Sequence, residues 1–194
     1  AFGVALLFWG FCFLRSVTIA GVLLGFATEI KFFPDMLGAV WASFPRAMRG
    51  WRRRSYFIIG FLLALASTML VIFMGGGTFG LFWQRTIMWQ IGRDSPFSIW
   101  GQYPERLAGA QRIGQYLLLA LSVGSYFWPL RKNMMQVAAI SATLILGFQI
   151  VQTHWFYLYI PWFFPLALIA LITARCGSEP KNSMKTGSYF AETV

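Results

Sequence analysis

Three short clusters hold the residues able to do chemistry in this 194-residue sequence. The first is Glu29, Lys31 and Asp35, three charged side chains within seven positions, with Pro34 among them. Glu29 and Lys31 can pair with each other, while Asp35 near a helix start would be favoured by the helix dipole. Lined up in a cavity, the same group would admit an anionic lipid headgroup, with Lys31 as the phosphate partner. The second cluster is Gly92-Arg93-Asp94-Ser95-Pro96-Phe97-Ser98-Ile99-Trp100-Gly101, a polar, glycine-flanked turn beside aromatic residues. There Arg93 and Asp94 can contact sugar hydroxyls or phosphate. The third is His154, the only histidine, which opens the run His154-Trp155-Phe156-Tyr157-Leu158-Tyr159-Ile160-Pro161-Trp162. A single histidine without a second ligand nearby makes no metal site, but it can hydrogen-bond a phosphate or a sugar hydroxyl at an interface. Each cluster also has a purely structural reading: a turn reaching the far headgroups, a membrane-anchored connector, and an interfacial aromatic belt. No P-loop, nucleotide-binding glycine motif, zinc motif or nucleophile triad is present. ATP-driven transport and soluble-type hydrolysis therefore lack support, and neither a metal nor a cofactor is called for.

The elements that must position these residues are set by the solvent. Hydrophobic residues make up 58% of the chain and charged residues 11%, with a mean hydropathy of +0.62. A soluble domain carries about 25% charged residues, so this chain has under half the charge needed to dress a water-facing surface. Its apolar residues lie in blocks as long as a bilayer is thick. The expectation is an all-α, polytopic integral membrane helix bundle over residues 1–174, followed by a polar, disordered cytoplasmic tail over 175–194. Helices are required because backbone amides cannot go unpaired in hydrocarbon, and a barrel would need short alternating segments. The apolar segments are Ala1–Leu14, Val17–Thr28, Phe32–Phe44, Tyr56–Met74, Ile113–Leu130, Met134–Val151 and Trp155–Ala174. Between the fourth and fifth lies a stretch, 75–112, read as an outer loop whose part Phe79–Ile91 suits a helix lying flat on the membrane. Cys12 and Cys176 read as small packing residues, and the chain opens on Ala1 inside an apolar stretch, which suggests the C-terminal part of a longer membrane protein.

The formal net charge of +10 does not point to nucleic acid, because the basic residues cluster at the ends of apolar runs. That is where determinants of topology sit. Arg46, Arg49, Arg52, Arg53 and Arg54 place 45–55 in the cytoplasm, which puts 75–112 and His154 outside and the tail inside. Arg15 and the 46–54 cluster then require an even number of crossings between them. Each half of 17–44 is about 13 residues, reaching about 20 Å, against a hydrocarbon core of about 30 Å. A helical hairpin of two short arms with Glu29–Asp35 at its tip fits these limits; a single tilted helix kinked at Pro34 is the alternative. In the hairpin, the three charged groups would line a protein-walled cavity, because exposing them to lipid costs at least about 2.5–3.5 kcal/mol each.

Gly21…Gly25-Phe26-Ala27-Thr28-Glu29-Ile30-Lys31-Phe32-Phe33-Pro34, followed by the basic run, resembles the apolar-Gly-apolar-Lys-x-x-Pro stretch of glycosyltransferase family 87, also called domain of unknown function 2029. The segments Arg93–Gly101 and His154–Trp162 look like segments of bacterial members of that group, and the resemblance covers most of residues 1–175. It implies a GT-C-like membrane fold and transfer of a sugar, often mannose, from a polyprenyl-phosphate donor to a lipid or glycan acceptor on the outer face of the cell membrane. The lipid-linked sugar would be a substrate, with no cofactor. Lys31, Arg93, Asp94 and His154 would bind it together. The family's catalytic aspartate lies in a first outer loop upstream of Ala1, so no catalytic base is named in this sequence. A secondary transporter, which would want broken helices in paired halves, and a non-catalytic membrane scaffold are the rival classes.

Overall fold

Glycine and proline punctuate long apolar runs in this chain, and the punctuation sets where its helices begin and end. In the computed structural model, residues 1–44, 50–89, 98–153 and 159–178 are described, and every regular element among them is helical. Helix α1 (Phe2–Cys12) descends to a tight turn at Arg15, and α2 (Val17–Ile30) runs back beside it. Lys31 then takes an extended backbone, with φ −149° and ψ 130°, and ends α2. Pro34 opens a 3₁₀ turn (Phe33–Leu37), where its missing N–H costs nothing, and α3 (Gly38–Ala42) completes that arm. Helix α4 (Gly50–Met74) ends at Gly75-Gly76-Gly77, where Gly76 adopts a left-handed φ of 77° and the Gly77 amide donates to the Ile72 carbonyl. Such an αL glycine is the usual helix stop.

Beyond it, Thr78 caps α5 (Phe79–Phe82), which continues as a π-helical stretch (Trp83–Met88). Ser98 caps α6 (Ile99–Gln102), and α7 (Pro104–Phe127) starts with proline in its first turn. Helix α8 (Met134–Val151) opens on a reciprocal cap: Asn133 accepts from the Gln136 amide at 2.8 Å, and Gln136 accepts from the Asn133 amide at 3.0 Å. Helix α9 (Ile160–Ser178) closes the described chain.

Two of these helices start earlier than the apolar runs suggest. The runs begin at Tyr56 and Ile113, whereas α4 begins at Gly50 and α7 at Pro104. Hydropathy marks only the part of a helix that avoids water. The residues before it, among them Arg52 to Arg54, Glu105, Arg106 and Gln111, include good helix formers, so part of the stretch read as an outer loop is the first turns of α7.

Close contacts fix how the helices run. An added methyl at Gly21 would fall on the Phe57 carbonyl oxygen, one at Gly60 on the Thr18 carbonyl oxygen, and one at Gly25 within 2.6 Å of Ala64 Cβ. Gly21-x-x-x-Gly25 therefore meets Gly60-x-x-x-Ala64, the small-residue pairing that lets helix backbones touch in lipid. Since 18 faces 60 and 25 faces 64, α2 and α4 run parallel. The arm after Lys31 runs the other way along α8. Phe33 packs on Phe148 with ring centroids 5.3 Å apart, Trp41 donates to Ser141 at 3.0 Å, and Lys132 donates to Ser43 at 2.9 Å. Residues 17–44 are thus a hairpin, not one straight helix. Trp41 is fully buried among Leu24, Leu37, Val40 and Val137, which with Leu7, Phe11 and Ile145 make the core.

The outward faces are apolar. On α4 only Phe57, Gly60 and Ala64 are buried, while Ile58, Ile59, Leu62, Leu63, Leu70, Val71 and Phe73 are exposed. Tyr116, Leu117, Leu119, Leu121 and Val123 on α7 are exposed as well. Helices α4 and α8 are long and apolar enough to cross a membrane; at 18 residues α8 measures about 27 Å.

Candidate functional site

The bundle has two chemically distinct ends. At one, Arg53 donates through Nη2 to the Arg15 carbonyl, Arg54 lies 5.0 Å from the centroid of the Tyr126 ring, and Lys132 reaches Ser43. At the other, a cavity of about 240 Å³ opens between the end of α2, the end of α8 and the π-helical stretch. Glu29, Lys31 and Phe33 come from the hairpin tip, Phe148, Gln149 and Gln152 from α8 and the residue after it, and Thr86 and Tyr159 from elsewhere.

The local sequence explains why Lys31 reaches this space. Its extended backbone turns it out of α2, and the chain re-enters a helical turn at Phe33, with Pro34 in its first turn. Phe33 is buried, against Trp162 at 4.9 Å and Tyr159 at 6.3 Å between ring centroids. Lys31 Nζ donates to the Tyr159 hydroxyl at 3.3 Å and stands 5.1 Å from that ring's centroid. Gln149, 2% exposed, donates to the Tyr159 carbonyl at 2.9 Å and pins the start of the last helix to α8. The α8 terminus is held from the other side by Trp100, which donates to the Ile150 carbonyl at 2.7 Å. Gln111 adds two bonds of 3.0 Å, to the Val151 carbonyl and to the Thr153 hydroxyl. The bonds to Ile150 and Val151 meet carbonyls that a helix end leaves without intrahelical partners.

Of the residues singled out in the sequence, Lys31 and Glu29 line the cavity. Among the described residues no ion pair joins them, because positions i and i+2 do not share a helix face and Lys31 has left the helix. Asp35 does not line the cavity; it is exposed on the 3₁₀ turn, whose buried side is Phe33, Pro34 and Leu37. Arg93, Asp94 and His154 lie outside the described residues. Gln149, Gln152, Tyr159 and Thr86 were not anticipated as lining. Gln149 had a visible signal, being an amide inside the apolar run Leu144–Val151, since polar groups at membrane depth tend to face protein.

Chemically, the cavity offers one cation, one carboxylate, two side-chain amides and an aromatic floor. Among the described residues no group of three His, Cys, Asp or Glu side chains comes together. A volume below the roughly 300–1,000 Å³ of drug-sized ligand sites suits a single phosphate or sugar headgroup with its chain left outside. No family model matches the sequence, no curated protein matches it, and no solved structure matches it.

Proposed function

We propose that this chain is the multi-pass helical part of a GT-C-like membrane glycosyltransferase, and that the cavity at the hairpin tip holds the phosphate–sugar end of a polyprenyl-phosphate donor. In this reading the end with Arg15, Arg53, Arg54 and Lys132 faces the cytoplasm and the cavity faces outward. The observation that carries the proposal is Lys31, a cation poised on an aromatic hydroxyl at the mouth of a small cavity walled by both polar and aromatic groups. Preorganised positive charge is what a leaving phosphate needs as its own charge develops. Glu29 and Gln152 are suited to sugar hydroxyls, and the aromatic floor to the sugar's apolar face. Arg93, Asp94 and His154 are proposed to join them.

The test is binding of a polyprenyl-phosphate mannose to the full-length protein in detergent, with sugar transfer as a second readout. Replacing Lys31 with alanine should weaken binding about tenfold or more, the size of one charge-assisted hydrogen bond. Wild-type binding by Lys31→Ala at an unchanged protein level would refute the assignment.

A further inference from the structure

The opposite end carries a groove of its own, about 640 Å³, between the α1–α2 turn and the first turns of α4. Arg15, Arg52 and Arg53 converge on it from two separate elements, with Thr18, Ile19 and Tyr56 alongside. Among the described residues no carboxylate lines it. Guanidinium groups lining one groove repel one another, and an anion seated among them relieves that repulsion. A topology signal needs no such convergence, because it works through the charge of the connection as a whole.

Two other basic side chains of this end have protein partners, Arg54 on Tyr126 and Lys132 on Ser43. Arg53 is different. Its Nη2 is committed to the Arg15 carbonyl, which fixes the guanidinium in place, while its buried Nε has no hydrogen-bond partner. Arg15 and Arg52 are exposed at the rim. The groove's outer walls, Ile19 and Tyr56, are also exposed and largely apolar.

From this geometry we infer that the groove binds the phosphate of an anionic phospholipid headgroup, with its acyl chains lying along Ile19 and Tyr56. Guanidinium groups fit phosphate oxygens two at a time, and basic pockets between membrane helices are suited to such headgroups. The apolar walls favour a lipid over free phosphate, since the free anion has no use for them. The inference rests on the chain lying in a membrane and is independent of what Lys31 binds.

Native mass spectrometry of the full chain in neutral detergent, supplied with phosphatidylglycerol or phosphatidylcholine, tests it. The wild type should retain phosphatidylglycerol preferentially, and the Arg15→Ala/Arg52→Ala double variant should lose that retention by about tenfold or more. Arg52→Gln alone, a milder change at an exposed site, should lose it severalfold if the double variant does not fold. Arg106→Ala, an exposed cation at the cavity end, should retain the lipid fully. Equal retention of the two lipids by the wild type, or retention by both groove variants, would overturn the assignment. So would an equal loss in Arg106→Ala, which would mean unspecific charge, or displacement by excess inorganic phosphate, which would give the groove to the free anion.

Discussion

At one end of this bundle a buried lysine is fastened to the protein; at the other an exposed lysine is left available. Lys132 is 9% exposed and donates at 2.9 Å to Ser43, itself bonded to the Val40 carbonyl at 2.8 Å. Lys31 is exposed and meets a tyrosine hydroxyl at 3.3 Å on the rim of a cavity. The same residue type therefore serves two purposes. Burying an ammonium requires partners that replace its water, so Lys132 reads as a strut between the return arm and the α7–α8 connection. An exposed lysine with one weak partner keeps its hydration and can exchange it for a ligand's phosphate. The lesson is that abundance of charge did not locate the candidate site; the way each charge is held did.

The arm joining the two ends is where that contrast breaks most completely. Trp41 fills the middle of it, fully buried and bonded to Ser141. Trp41→Ala should cost about 3–5 kcal/mol, as for other large aromatic deletions in a core, and should disorder both ends together. Thermal unfolding in detergent would show this as a large fall in midpoint. A loss confined to one end, with the other intact, would mean that the ends are not coupled through this arm.

A smaller effect sharpens the comparison. Lys132→Ala should destabilise by about 1.5–3 kcal/mol, the scale of a hydrogen bond to a charged group. Lys31→Ala should stay within about 0.5 kcal/mol, as expected of a surface change. Measured side by side in the same detergent, equal losses would erase the distinction between a strut and an available cation.

How much of this was legible in the sequence follows from how local each feature is. The hairpin could be read because two arms of limited length had to return the chain between basic connections, and Pro34 marked the turn. The cap at Asn133 and Gln136 and the stop at Gly75-Gly76-Gly77 are set by neighbouring residues. The facing of Gly21 and Gly25 with Gly60 and Ala64 was latent in their spacing, since two small-residue stripes were present, but nothing local says which stripe meets which. Trp41 with Ser141, separated by 100 positions, and Thr86 beside Lys31 depend on the packing of the whole bundle. Asp35 failed as a lining residue for a related reason: its distance from Lys31 along the chain is short, but a 3₁₀ turn sends neighbouring side chains to different faces.

The central claim is that the two ends lie on opposite sides of a membrane, with the cavity outside. The direct measurement uses two single-cysteine variants, made after Cys12 and Cys176, both exposed, are replaced by serine. Gln84→Cys sits on the π-helical stretch beside the cavity, and Gly50→Cys at the start of α4 beside the arginines; both positions are exposed. Intact cells are treated with a membrane-impermeant maleimide, then permeabilised and treated again. The account predicts labelling of Gln84→Cys in intact cells and of Gly50→Cys only after permeabilisation. Labelling of both variants from the same side, or the reverse order, would contradict it.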